Sequence, residues 1–466
     1  MANTVTATAT TPATTATSKQ GEIWGHPKGL YVLFFTEMWE RFSYYGMRAL
    51  LVYYMMKQLM FPQDKASQIY GLYTGFVYFT PFFGGLLADR FLGQRRTVII
   101  GGVLMAIGQF MLTVESLFYP ALVLLIFGNG AFKPNISTQV GSLYAEGDPR
   151  RDGAFSIFYV GINLGAFFSP LICGTLGELY GWHYGFAAAG VGMVVGLLVY
   201  LWGQKYLAND QVTLRQQSKA QGNLQAEEKL TQEEKKALWA LGVLCFFNIL
   251  FWGVYEQQGN TLALWADAQT NRNLIGDWVM PASWFQSLNP MLIFILTPFV
   301  VGFWQWQSRR KSEPTSVTKM AIGCILLGLS FLLMIPAAMI VSQVGITSAW
   351  WLIGCIFVLT IGELYLSPVG LSLVTKVAPA RMVSMMMGVW FLSSFFGNYM
   401  AGFLGTFWEK MSKESFFSLM IALAVGAGLL LFSLRHRLGS TLAVVSDVAA
   451  NKFNNNNGNS KSKTTT

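Results

Sequence analysis

Two acids and two bases stand on one stripe of a segment that is otherwise apolar enough to cross a membrane. The segment runs from Leu30 to Met56 and holds Glu37, Glu40, Arg41 and Arg48. On a helix, at 100° per residue, these four share one face with Tyr44. A charged side chain at mid-bilayer costs at least about 2.5 kcal/mol on insertion scales, so the stripe does not face lipid. It lines a water-filled cavity or a packed polar core. There, carboxylates beside guanidinium groups can take up and release protons, and the bases can hold an anionic group of a ligand. The competing interpretation is an ion-pair cluster that only locks helices together. Four ionisable groups on one stripe favour chemistry, with part of the cluster left free to be structural.

Other ionisable residues fall inside apolar stretches as well. Glu363 is the only acid of its segment and stands five residues before Pro368. Glu256 lies near the end of its segment, where an interfacial cap competes with a cavity role, and its depth favours the cavity. Lys133, just before Pro134, could snorkel to an interface. Glu115 and Glu178 stand at segment ends and are expected to be solvated.

The elements that position these groups are helices across a bilayer. The 466 residues are 53% hydrophobic and 12% charged, against about 25% charged in an average soluble domain. Twelve apolar segments reach membrane length: 29–56, 66–88, 97–114, 118–140, 153–177, 183–204, 237–258, 285–306, 318–342, 347–375, 382–408 and 415–435. Alternating ten-residue segments of a transmembrane barrel are missing. Pro134, Pro298, Pro336 and Pro368 can each break a helical ladder. The fold class is therefore an all-α polytopic membrane protein with twelve transmembrane helices.

The bases fix an orientation. Of the 32 Lys+Arg, the loops on one side hold only Lys57, Lys65, Arg272, Lys410 and Lys413; nearly all others lie in the termini and the loops of the opposite side. By the positive-inside rule that basic side is cytoplasmic, with both termini inside. The net charge of +9 thus reflects topology, and no nucleic-acid partner is expected. Residues 1–28 read as a disordered segment without the apolar core of a signal peptide, and 436–466 as a disordered tail. A charged cytoplasmic linker, 205–236, separates six-span bundles at 29–204 and 237–435, the plan of a two-bundle transporter. Cys173, Cys245, Cys324 and Cys355 sit in apolar segments without CxxC spacing and read as packing residues.

Several motifs carry a family resemblance. Glu37-Met-Trp-Glu40-Arg41-Phe42-Ser43-Tyr44-Tyr45 resembles the ExxERFxYY motif of the proton-dependent oligopeptide transporter family. GNGAFKPN at 128–135, FSIFYVGINLGAFFSP at 155–170, FWGVYEQQGN at 251–260 and GELYLSPVGLSLV at 362–374 are similar to spans four, five, seven and ten of that family. GGLLADRFLGQRR at 84–96 resembles the loop shared by the major facilitator superfamily. Asp89 and Arg90, with Arg95 and Arg96, could form a gate latch there.

The resemblance implies a major facilitator fold and proton-coupled uptake of di- and tripeptides, driven by the proton gradient without a cofactor or metal. It implies proton coupling by Glu37, Glu40, Arg41 and Glu256. Arg41, Arg48 and Lys133 would face the peptide carboxylate, Asn163 and Asn289 its backbone, and Glu363 its amino group. Tyr45, Tyr78, Trp252, Trp390 and Ser394 would line side-chain pockets. The partners are peptide, protons and the bilayer, and the state is monomeric in a plasma or inner membrane. Physics points the same way, because an elongated zwitterion needs a cation on one bundle and an anion on the other. Unlike animal relatives, this chain has no histidine within a span: His26, His183 and His436 fall at or beyond span ends. The linker is also too short and polar for the two extra helices of many bacterial members.

Other functions compete. A nitrate-type relative would move another small anion on the same fold, but such relatives often lack the first-span motif that is intact here. A peptide sensor would lack transport. An intramembrane enzyme is disfavoured, because the spans hold no HExxH, no paired catalytic aspartates and no histidine to activate a serine.

Overall fold

The computed structural model describes residues 21–145, 148–208, 231–273, 276, 278–377 and 383–462. The expected disorder of 1–20 and 463–466, most of the linker, and Arg381 lie outside the described residues. A helix lies over each of the twelve expected segments. The first half comprises α1 (Lys28–Lys57), α2 (Gln63–Leu87), α3 (Gln94–Met111), α4 (Phe118–Ser142), α5 (Arg150–Ser169) and α6 (Trp182–Gly203). The second comprises α7 (Gln232–Tyr255), the short α8 (Thr261–Ala268), α9 (Phe285–Arg309), α10 (Ser316–Leu332), α11 (Met334–Val344), α12 (Ala349–Val377), α13 (Val383–Gly405) and α14 (Lys413–Ser462).

Each half packs as its own bundle. In the first, α1 lies against α5 and α6, and α4 against α2 and α3; in the second, α10 lies against α12 and α14, and α7 against α13 and α14. The halves meet along α2 with α13 and along α5 with α9. Among the described residues, eight helical segments are long and apolar enough to span a bilayer by length and composition. The 30-residue α1 is not among them, and it carries four of the intramembrane charges, Glu37, Glu40, Arg41 and Arg48. Large apolar side chains such as Phe127, Leu198, Phe299 and Leu429 stand exposed on the outer surface of the bundles. In water they would be a liability, but against lipid tails they are the ordinary surface of a membrane protein.

Sequence punctuates these helices as chemistry requires. α2 runs on into a π-helical turn, Ala88–Leu92, which stops at Gly93 with φ 80°, a conformation that favours glycine. After α5, Pro170 lacks a backbone donor, and the chain continues as two π-helical turns, Pro170–Gly174 and Leu176–Tyr180. The expected ninth span is divided at Leu333 into α10 and α11, three residues before Pro336. α2 and α13 touch backbone to backbone: a Cβ on Gly71 would fall 2.5 Å from the Gly402 Cα.

Several boundaries differ from the sequence expectation. Residues 21–28 are not loose: Glu22–Ile23 (β1) pairs antiparallel with His26–Pro27 (β2), and His26 Nδ1 lies 2.8 Å from the Tyr144 hydroxyl. The seventh span does not end at 258 but passes through a 3₁₀ turn, Glu256–Gly259, into α8, where fully buried Trp265 packs on Trp408 and Phe417. A short parallel pair follows, Thr270–Asn271 (β3) with Thr347–Ser348 (β4). The last helix passes residue 435 and continues to Ser462; alanine, leucine and valine favour it as far as Ala450, and nothing in the asparagine-rich sequence explains its continuation over 451–462.

Candidate substrate cavity

The charged stripe of α1 divides into two sites. Arg41 is almost fully buried between two acids of its own helix. Its Nε lies 3.2 Å from Glu37 Oε1, and its Nη2 donates to Glu40 Oε1 at 2.7 Å. Asn129 on α4 donates to the same Glu40 oxygen at 3.2 Å. The Arg41 guanidinium also lies over the Tyr44 ring, 5.3 Å from its centroid. Glu37, Glu40 and Arg41 therefore form a packed polar cluster behind the cavity and not in its wall. The expectation that Arg41 faces a ligand directly is not met in this state, because its guanidinium is occupied by carboxylates.

Two turns further on, Arg48 reaches across the molecule. Its Nη2 pairs with Glu256, in the 3₁₀ turn after α7. Its Nε donates to the Tyr70 hydroxyl at 2.8 Å, which lies 3.4 Å from Glu256 Oε2. Glu256 is 2% exposed and so is no interfacial cap. This pair joins the first bundle to the second.

Between the bundles lies a cavity of about 320 Å³. Of the residues expected to meet ligand, Tyr45, Arg48, Tyr78, Lys133, Asn163, Trp252, Asn289, Glu363, Trp390 and Ser394 all line it. Lys133 is half-buried, its Nζ 4.5 Å from the Tyr78 ring centroid, so it does not snorkel to an interface. It also stands within electrostatic reach of Arg41, Glu40 and Glu37, which connects the cavity to the acid cluster. On the opposite wall, Glu363 accepts from Asn289 Nδ2 at 2.9 Å and from the Tyr255 hydroxyl at 2.7 Å. Asn289 also donates to Thr360 Oγ1 at 3.0 Å, so its amide donors serve the protein. Asn163 donates to the Tyr159 carbonyl at 3.0 Å. For Asn289 this leaves the amide oxygen as the group for a ligand N–H, and Asn163 likewise keeps its amide oxygen available.

The sequence did not single out Tyr255, Tyr159, Asn248 or Gln286 as wall residues, nor Tyr70 as the third member of the bridge. Tyr255 could have been flagged by its place beside Glu256 in FWGVYEQQGN; the others carry no distinguishing signal. Asp89 and Arg90 are exposed in the π-helical turn after α2, remote from the cavity wall. Arg95 donates to the Leu207 and Ala208 carbonyls, at 2.6 and 2.7 Å from Nη2, which ties the end of α6 to the start of α3.

Cross-bundle polar contacts gather towards the end where α1 finishes. Ser67 donates to Asn260 at 2.9 Å, and Lys57 pairs with Asp267 at 2.6 Å. Glu178 is not solvated as expected: it accepts from the backbone N–H of Ala282 and Ser283 at 2.8 Å each and faces Arg272 at 3.6 Å. Glu115 is exposed and accepts from Gln58 at 2.6 Å.

Two helical bundles around one central polar cavity define a membrane transporter of the major facilitator type, and comparison with known proteins agrees. The profile of the POT family matches residues 95–214 and 206–420. The chain is 37% identical to an uncharacterized transporter YclF of Bacillus subtilis, over 89% of this chain and 95% of that one. It is 35% identical to the peptide transporter YePEPT of Yersinia enterocolitica, covering 82% and 88% of the two chains. With a di-/tripeptide transporter of Lactococcus lactis subsp. cremoris it shares 33% identity, covering 88% and 95%. A crystal structure of a peptide transporter POT in complex with sulfate superposes with a TM-score of 0.83 at 35% identity, covering 91% of this chain and 97% of the other. This chain belongs to the POT family, whose relatives here are transporters and not enzymes.

Proposed function

We propose that this protein takes up di- and tripeptides together with protons, by alternating access across a plasma or inner membrane. The observation that carries the reading is the placement of opposite charges on opposite walls of one cavity, Arg48 and Lys133 on the first bundle and Glu363 on the second. A peptide zwitterion satisfies both walls at once, with its carboxylate toward the bases and its ammonium toward the acid. A simple anion would leave Glu363 unanswered. Aromatic walls at Tyr45, Tyr78, Trp252 and Trp390 tolerate varied side chains, while amide oxygens of Asn163 and Asn289 read the backbone. The named relatives of Yersinia and Lactococcus support the substrate class.

Proton coupling rests on the cluster behind the wall. Glu37 and Glu40 compete for Arg41, and Lys133 links that cluster to the ligand. A carboxylate that takes a proton loses its hold on its base, and a base released in this way is free to turn to a peptide carboxylate. The proton gradient supplies the drive, and neither cofactor nor metal takes part. Transport is by the monomer. With the termini in the cytoplasm, as the basic loops favour, the end rich in cross-bundle contacts is the outer one. The state described is then latched outside by Arg48–Glu256 and by the Glu178 and Lys57 contacts.

Labelled dialanine uptake into proteoliposomes tests the reading. Accumulation against a concentration gradient is expected under an inward proton gradient and is expected to cease when a protonophore collapses it. Uptake unaffected by the protonophore would remove proton coupling. Binding without uptake would make the protein a sensor, and uptake of nitrate in place of dialanine would change the substrate class.

A further inference from the structure

Glu363 is held by two donors, and both hydrogen bonds fall on one oxygen. Tyr255 O–H and Asn289 N–H converge on Oε2, which leaves Oε1 as the acceptor for a cationic group in the cavity. Tyr255 is itself fixed in direction. Its ring stacks on Phe251 with centroids 5.7 Å apart and meets Trp252 edge-on at 5.0 Å. It is the last residue of α7, and the next residue is Glu256, which bonds Arg48 of the other bundle. Two consecutive residues at one helix end thus act on two partners: Tyr255 orients Glu363, and Glu256 closes the bundles through Arg48.

We propose that Tyr255 is a positioning residue for recognition of the ligand's ammonium group, acting through Glu363. A carboxylate with one oxygen tied down presents the other at a fixed place and angle, so the ammonium meets an acceptor that is already oriented. Without the hydroxyl, the carboxylate keeps only Asn289 and gains freedom to rotate. The ligand must then immobilise it on binding.

This inference rests on the reading of Glu363 as the ammonium acceptor, and the experiment separates the two. Dialanine and N-propionyl-alanine, its analogue without the amino group, are used as competitors of labelled dialanine uptake. They are compared on the wild-type protein, Tyr255→Phe, Glu363→Gln and the double variant. Phenylalanine keeps the stacked ring, and a melting curve on each purified variant confirms the fold. Having to immobilise the freed carboxylate on binding is expected to weaken dialanine about five- to tenfold in Tyr255→Phe. The des-amino analogue should change less than about twofold, and in the Glu363→Gln background Tyr255→Phe should add almost nothing. Equal weakening of both ligands by Tyr255→Phe, or the same loss in both backgrounds, would overturn the positioning role and leave Glu363 as the ammonium acceptor. Equal weakening of both ligands by Glu363→Gln would overturn that reading as well.

Discussion

Residues with a charge in the bilayer announce themselves, because lipid penalises them and packing alone rarely requires them. Glu37, Glu40, Arg41 and Arg48 were legible for this reason, as were Glu256 and Glu363. What one helical stripe could not reveal is its division of labour: Arg41 turns inward to two acids, whereas Arg48, two turns on, reaches the other bundle. A prediction follows for the inward cluster. Glu37→Gln and Glu40→Gln keep the shape of the side chain but remove the titrating group. Each should abolish concentrative uptake under a proton gradient while counterflow exchange of labelled for unlabelled dialanine persists. Full accumulation by both variants would exclude the cluster from coupling. Tyr255 stayed hidden because an aromatic residue in a span is most often packing, and its hydroxyl gains meaning only once Glu363 of α12 stands opposite.

Helices were readable where apolar length and proline act together, as at the split between α10 and α11 before Pro336. They were misjudged where polar residues interrupt an apolar run. Glu256–Asn260 read as a span's end, yet the chain turns through 3₁₀ geometry and resumes as α8, since Trp265 has a buried place against Trp408 and Phe417. The seam of α2 and α13 was not foreseen, because isolated glycines in spans are common. At this seam Gly402→Ala would place a methyl group 2.7 Å from the Gly71 Cα, too near for any side chain to give way. The helices must part there, weakening the end of the molecule where Ser67 meets Asn260. A cysteine at Ser67, fully buried here, should react with maleimide severalfold faster in the Gly402→Ala background. An unchanged rate would mean that the seam relaxes elsewhere.

At the scale of the whole molecule, polar contacts join the two bundles, and Arg48–Glu256 is the most buried of the salt bridges between them among the described residues. Removing one member of a buried pair leaves an uncompensated charge and costs about 3–5 kcal/mol. Glu256→Gln should therefore shift the population toward the opposite state by two or more decades of equilibrium constant. Spin labels at the two outer ends of α2 and α9 should report the widening, and unchanged distances would assign the clamp to other contacts. The orientation assumed in this argument is testable separately. Single cysteines in the linker should react with an impermeant maleimide only from the cytoplasmic side, and labelling of intact cells from outside would refute the twelve-span plan. The cavity has one more consequence. A space of about 320 Å³ is large enough to hold a cluster of waters. A dialanine molecule entering it displaces much of that solvent. Its affinity should then depend on water activity: raising osmotic pressure with an excluded solute such as sucrose should tighten binding, with a slope that counts the waters expelled in each cycle.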